Sequence, residues 1–131
     1  MRGGHHREAA EISGRAAERQ AERWLEAQGW VILDRRRKTK IGEIDLIARQ
    51  GALVAFIEVK WRKDAADLAL AIDERRLGRV AAAAEAVGHE YVQPGDDMRI
   101  DVILLAPGRM PDHIINAWQP LPPGMRADHK E

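Results

Sequence analysis

Apolar positions recur along this chain with two different periods, and the switches between them mark out seven elements. From Glu8 to Gln28 helix formers dominate, and Ala17, Ala21, Trp24 and Leu25 fall at the three- and four-residue spacing of a stripe buried on one helical face. Gly29 supplies the stop. Ser13 stands where it would cap a first turn at Gly14, but Ala16 rather than an acid follows three residues on, so the start stays open by a turn. Trp30 to Leu33 reads as a first strand that runs out into the basic segment Asp34 to Lys40. Two β-prone runs follow, Gly42 to Ala48 and Leu53 to Trp61, joined by Arg49-Gln50-Gly51-Ala52; this is the clearest local signal, a β-hairpin. Asp64 to Leu70 reads as a connection. Leu77, Val80, Ala81, Ala84 and Val87 then give a second amphipathic helix ending at Gly88. Met98 to Ala106 is a strand, His113 to Trp118 a short last one, and Pro120, Pro122, Pro123 and Gly124 end regular structure. The predicted order is αβββαββ in one domain over 1–131, with its core in 8–118 and flexible ends at 1–7 and 119–131.

Strand side chains alternate between faces, so the hairpin can be read position by position. If Ala48 pairs with Leu53, Asp45 lies opposite Phe56 and diagonal to Glu58 on the same face; a slide of two residues keeps that relation and a slip of one destroys it. One face is then apolar along its length, with Ile44, Leu46 and Ala48 beside Leu53, Ala55, Ile57 and Val59. The other carries Ile47, Val54 and Phe56 near the turn, and Glu43, Asp45, Glu58 and Lys60 at the far end. Because both faces are partly apolar, cover is expected on both sides, with the charged end in or beside a cleft.

Composition narrows the function classes. The 131 residues carry 21 basic and 21 acidic side chains for a net charge of zero, which argues against a protein that coats DNA through overall basicity. With no cysteine, disulfide scaffolds, thiolate zinc sites and cysteine nucleophiles are excluded. No apolar run approaches the roughly 20 residues that span a bilayer, and Met1 to Ala10 lacks the apolar segment of a signal peptide, so no membrane association is expected and a cytoplasmic location is the default. Aromatic residues make up only 5%, against a stacking platform for single strands. No phosphate-binding glycine loop, dinucleotide fingerprint or serine-nucleophile motif occurs.

Charge arithmetic singles out the far end of the hairpin. Two unpaired carboxylates about 5 Å apart repel by roughly 3 kcal/mol at an effective dielectric near 20. A divalent cation would relieve this, and carboxylate oxygens, a backbone carbonyl and water form the ligand set that suits Mg²⁺ or Mn²⁺. Lys60, on the same face as Glu58, would then hold or deprotonate a water attacking phosphorus. Taken alone, Glu-x-Lys is better explained as a surface ion pair; the hairpin, the second acid and the apolar surroundings reverse that order in favour of a site.

Asp45 followed on the next strand by Glu58-Val59-Lys60 resembles the PD-(D/E)xK nuclease superfamily, whose restriction-endonuclease-like core is αβββαβ. The longer string of Gly42 to Ala48, Leu53 to Lys60, Arg99-Ile100-Asp101-Val102 and His113 to Trp118 is similar to the YraN-type family of small bacterial proteins, expected to be endonucleases related to archaeal Holliday-junction resolvases. The resemblance implies an α/β fold with a central mixed sheet flanked by helices and a short extra C-terminal strand. It implies that Asp45, Glu58 and the Val59 carbonyl bind Mg²⁺ or Mn²⁺, that Lys60 is the catalytic lysine, and that Glu18 on the first helix is a further acid of the site. Glu18 also shares the helical face of Ala21 and Leu25. Glu43 would support the acids from behind. The chain departs from the pattern at Ile44, where the superfamily has proline, at Trp61, and at the start of the second helix, where a family lysine is replaced by Arg75 or Arg76.

Arg35, Arg36, Arg37, Lys38 and Lys40 put five cations into six positions, and with Arg62, Arg75 and Arg76 they are the candidate contacts to nucleic-acid phosphates. A solvated charge run is the alternative. His5-His6 is read as a terminal pair rather than a metal site, His113 as structural, and Asp101 as salt-bridged to a neighbouring arginine. The leading expectation is a metal-dependent, structure-selective endonuclease of DNA, with a homodimer by analogy. A nucleic-acid-binding module with a vestigial site and an interaction protein with a structural acid cluster are the rivals.

Overall fold

The computed structural model describes residues 2–64, 66–67 and 72–118, with the backbone alone for residues 2–13. Its elements are α1 (Arg2–Ala27), β1 (Val31–Lys38), β2 (Glu43–Gln50), β3 (Leu53–Trp61), α2 (Glu74–Val87), a 3-10 turn (Gly88–Glu90), β4 (Asp97–Leu105) and β5 (Asp112–Ile114). The order is the expected αβββαββ, and the fold is α/β. One sheet runs β1-β2-β3-β4-β5, antiparallel throughout except for the parallel β3–β4 pair.

A helix lies on each face. Ala17, Ala21 and Leu25 of α1 pack with Trp30, Leu46, Ala48, Ala55, Ile57, Ile103 and Leu105. On the other face Leu77, Val80, Ala83, Ala84 and Val87 of α2 pack with Ile47, Val54, Phe56 and Val102. Ala83 takes the buried place expected of Ala81, which is only partly covered. The C-terminal end of α1 is closed as its sequence implies: Gly29 has φ 95, its N–H bonds the Glu26 carbonyl at 3.0 Å, and the Trp30 N–H reaches the Leu25 carbonyl at 3.0 Å. Trp30 and Leu25 then lie in one apolar cluster, which completes the cap.

Five expectations change. α1 begins at Arg2 rather than Glu8, so residues 2–7 are helical and no proline or cap in that stretch stops them. β1 extends to Lys38, carrying the basic run within the sheet. It does so because an extra residue at Leu33 shifts its register against β2 between Ile32 and Asp34, and as an edge strand it leaves one side of every position free for charge. The hairpin pairs Gln50 with Leu53 instead of Ala48 with Leu53, because Gly51, at φ 61, lets a two-residue loop close the turn. That two-residue slide brings Asp45 level with Glu58, one position beyond the last ladder pair. Ile44 joins the α2-side cluster rather than the Leu46 face, since regular β2–β3 pairing ends at Leu46–Ile57 and alternation is not carried beyond it. β5 spans only Asp112–Ile114, the chain turning before Trp118. The tail beyond 118 and parts of the Asp64 to Leu70 connection lie outside the described residues.

Candidate active site

The site forms where the hairpin ladder opens. Past Leu46–Ile57, the Val59 N–H finds a side chain instead of a strand carbonyl and donates to Asp45 Oδ2 at 2.8 Å. This fixes the Asp45 carboxyl beside Glu58. Both acids are buried, Asp45 at 6% and Glu58 at 2% exposure. Burial, the charge of Glu58 and, more weakly, that of Glu18 push the Asp45 carboxyl up to about 8 against the opposing Val59 hydrogen bond.

Two cations approach Glu58, and both engage the same oxygen. Lys60 Nζ lies 3.1 Å from Glu58 Oε2, and Arg76 Nε donates to that oxygen as well. Glu58 Oε1 is buried and has no hydrogen-bond donor among the described residues. A buried carboxylate oxygen without a donor is costly, which makes this atom a candidate ligand for a cation. Arg76 arrives there through local chemistry at the start of α2. Asp73 caps the helix, its side chain accepting from the Arg75 N–H at 3.0 Å and the Arg76 N–H at 3.4 Å, and the first turn then hangs over the carboxylates. Glu58, Lys60, Asp73 and Arg76 line one small cavity together with Leu77 and Val102.

The sequence-derived site is therefore brought together at its centre and spread at its edges. Asp45, Glu58 and Lys60 converge, and Val59 joins them through its N–H. Glu18 lies near enough for its charge to act on Asp45, but its Oε1 accepts from Arg36 Nε at 2.8 Å, in a separate groove on the α1 side lined also by Glu22 and Arg35. Glu43 is half-buried and lines a cavity with Arg76 and Arg79. Among the described residues no group of three or more His, Cys, Asp or Glu is arranged to hold a metal ion.

The basic run divides. Arg35 binds Glu22, its Nε 2.9 Å from Oε2; Arg36 binds Glu18; Arg37 NH2 lies 2.7 Å from Glu90 Oε2. Lys38 and Lys40 are exposed and carry no ion pair among the described residues. Arg62 turns back to the Trp61 carbonyl at 2.8 Å, while Arg75 is exposed. Arg76, expected among the phosphate contacts, instead reaches into the carboxylates, so of the two arginines at the head of the second helix it is the one that joins the site. One signal was present in the sequence: Arg76 immediately precedes Leu77, the first residue of the buried stripe, which puts it at the rim of the packed face.

Asp101 meets its structural expectation. Arg99 chelates it through two hydrogen bonds of 2.9 Å, His113 Nε2 lies 2.7 Å from Oδ2, and the Asn116 N–H donates to Oδ1 at 2.9 Å. His113 is also held edge-on against the rings of Trp24 and Trp30. Burial opposes ionisation of Asp101, but the bonds from His113, Arg99 and Asn116 outweigh it and hold the carboxyl below the usual carboxylate range.

Residues 17–105 match the family described as "Uncharacterised protein family UPF0102", a span that contains all the residues converging on the site. A UPF0102 protein of Erythrobacter litoralis is 66% identical over 114 residues, covering 87% of this chain and 98% of that protein. Relatives carrying the same name in Sphingopyxis alaskensis and Rhizorhabdus wittichii are 58% and 54% identical, again across 87% of this chain and 98% and 97% of their own lengths. The family resemblance read from the hairpin and its flanking strands is thereby borne out, and the chain belongs to the UPF0102 family.

Proposed function

We propose that this protein is a metal-dependent endonuclease hydrolysing DNA phosphodiester bonds, with a preference set by substrate structure rather than sequence. The observation that carries the reading is the buried Asp45–Glu58 pair, whose Glu58 Oε1 has no partner while Lys60 and Arg76 crowd Oε2. The donors fit a hard divalent cation. They are oxygens, one has no donor among the described residues, and burial together with the charge of Glu58 pushes Asp45 up. Asp45, Glu58 and the Val59 carbonyl would hold Mg²⁺ or Mn²⁺, which when bound supplies an activated water and charge neutralisation at phosphorus.

The chain's own groups do the rest. Lys60, at 21% side-chain exposure, is fixed by Glu58 and open to solvent, placed to orient a water by hydrogen bonding and to take up or return its proton. Arg76 holds Glu58 Oε2, which leaves Oε1 as the ligand atom, and its half-exposed guanidinium would face a scissile phosphate brought to the cavity. Asp73 keeps Arg76 in place by capping α2. Exposed lysines outside the cavity touch only backbone, which gives binding without base readout.

The test is cleavage of labelled linear, flapped and four-way-junction DNA with Mg²⁺ or Mn²⁺. Glu58→Ala and Lys60→Ala are expected to abolish cleavage, and Asp45→Asn to lose metal affinity in a titration; cleavage that survives Glu58→Ala would sink the assignment. One observation favours a second reading. Lys60 and Arg76 already neutralise Glu58, as they would in a nucleic-acid-binding module that has lost its cation, and such a protein binds the same DNAs indifferently to chelator with no cleavage.

A further inference from the structure

A second cavity adjoins the carboxylate chamber. It is lined by Gly42, Glu43, Arg76, Arg79 and Val80, and Arg76 also lines the first, so its side chain is the partition between them. Arg79 follows three residues later on α2, with Cβ atoms roughly 5–6 Å apart at that spacing. Its side chain is exposed and carries no ion pair among the described residues. Lys38 pairs with Glu43 across β1 and β2, so it projects from the same face, and it too is exposed with no ion pair among the described residues. At Gly42 an added Cβ would meet nothing within 4 Å, which leaves that edge open to an approaching ligand. Charges here do not cancel locally. Arg76 is matched by Glu58 and Glu43 offsets one more cation, so of Arg79 and Lys38 one positive charge is in excess at the rim.

We propose that this second cavity is a phosphate subsite, taking the backbone phosphate next to the scissile one in a bound nucleic-acid strand, with Arg79 and Lys38 as its contacts. The proposal rests on the nuclease reading and fixes the path of its substrate: over the first half of α2 and the β1–β2 turn, not along Arg35 to Arg37, whose guanidiniums are engaged by Glu22, Glu18 and Glu90. Arg76 would then face a phosphate on each side.

The decisive experiment measures binding of a labelled DNA duplex as a function of salt with chelator present, for wild type, Arg79→Ala, Lys38→Ala and Arg109→Ala. Arg109 is exposed in the β4–β5 loop and serves as the remote control. Each subsite variant is expected to bind several-fold more weakly and to lower the slope of log affinity against log salt by about 0.9, the loss of one phosphate contact, while Arg109→Ala matches wild type. Wild-type slopes in both subsite variants would overturn the subsite; if Glu58→Ala nevertheless abolishes cleavage, the nuclease reading stands without it. Displacement of the duplex by an equal concentration of inorganic phosphate would also overturn it, since the cavity would then hold a free anion. Wild-type protein with no salt-dependent affinity for DNA would overturn both.

Discussion

Glu58 and Asp101 are two carboxylates buried in one sheet, and their surroundings differ. Asp101 accepts four hydrogen bonds, from Arg99, His113 and Asn116, whereas Glu58 has one oxygen doubly engaged and the other without a donor among the described residues. Asp101 thus belongs to stability. Removing one partner of a buried ion pair costs about 3–5 kcal/mol, and Asp101→Asn is expected to lose at least the lower figure in urea unfolding. Its pH dependence has a defined sign. Because the folded-state pKa is depressed, the stabilisation is present above the unfolded value near 3.9 and disappears as pH falls through the folded value, so the acid limb of the stability curve should flatten in Asp101→Asn. A limb as steep as wild type's would place the acid sensitivity elsewhere. Neither the missing partner of Glu58 nor the full shell of Asp101 can be read from composition, since each depends on residues far apart in the chain; the identity of the two acids could be, from strand parity alone.

At the scale of elements, the hairpin was the legible part and its register was not. Alternation places Asp45 and Glu58 on one face under any slide of two, but the turn at Gly51 sets the register and the Val59 N–H bond to Asp45 fixes that acid beside Glu58. β1 was obscured by its own charges: a run of arginines reads as a solvated segment, and the acids that accept them, Glu18 and Glu22, sit one turn apart on a helix elsewhere. Capping was legible. Gly29 at φ 95 closes α1, and Gly29→Ala should cost about 1 kcal/mol in thermal or chemical unfolding while leaving the site's residues untouched. The seat of α2 is set by a contact no local pattern announces. Trp118 lies against Gly78, where an added Cβ would come within 3.4 Å of its ring. Trp118→Ala is expected to lose about 2 kcal/mol, below the value for a fully buried tryptophan because this one is half-buried.

The molecule as a whole is neutral, yet its charge is arranged by face. Carboxylates take up the arginines of β1, while Lys38, Lys40, Arg75 and Arg79, which carry no ion pair among the described residues, lie on the β1–β2 turn side and at the head of α2. A function in phosphate recognition would draw on that segregation rather than on net charge. The parallel β3–β4 pair has a further consequence, for the order in which the protein can be built. Glu58 stands beside Val102 in that pairing, and Leu77 lines the same cavity, so its burial waits on segments synthesised well after the hairpin. A nascent chain that has emerged only through β3 holds its two acids in water, where each is cheap to ionise and neither repels the other strongly. Only when the crossover helix and β4 close over them are the two acids buried together. The electrostatic strain of the pair is therefore withheld until the fold is nearly complete.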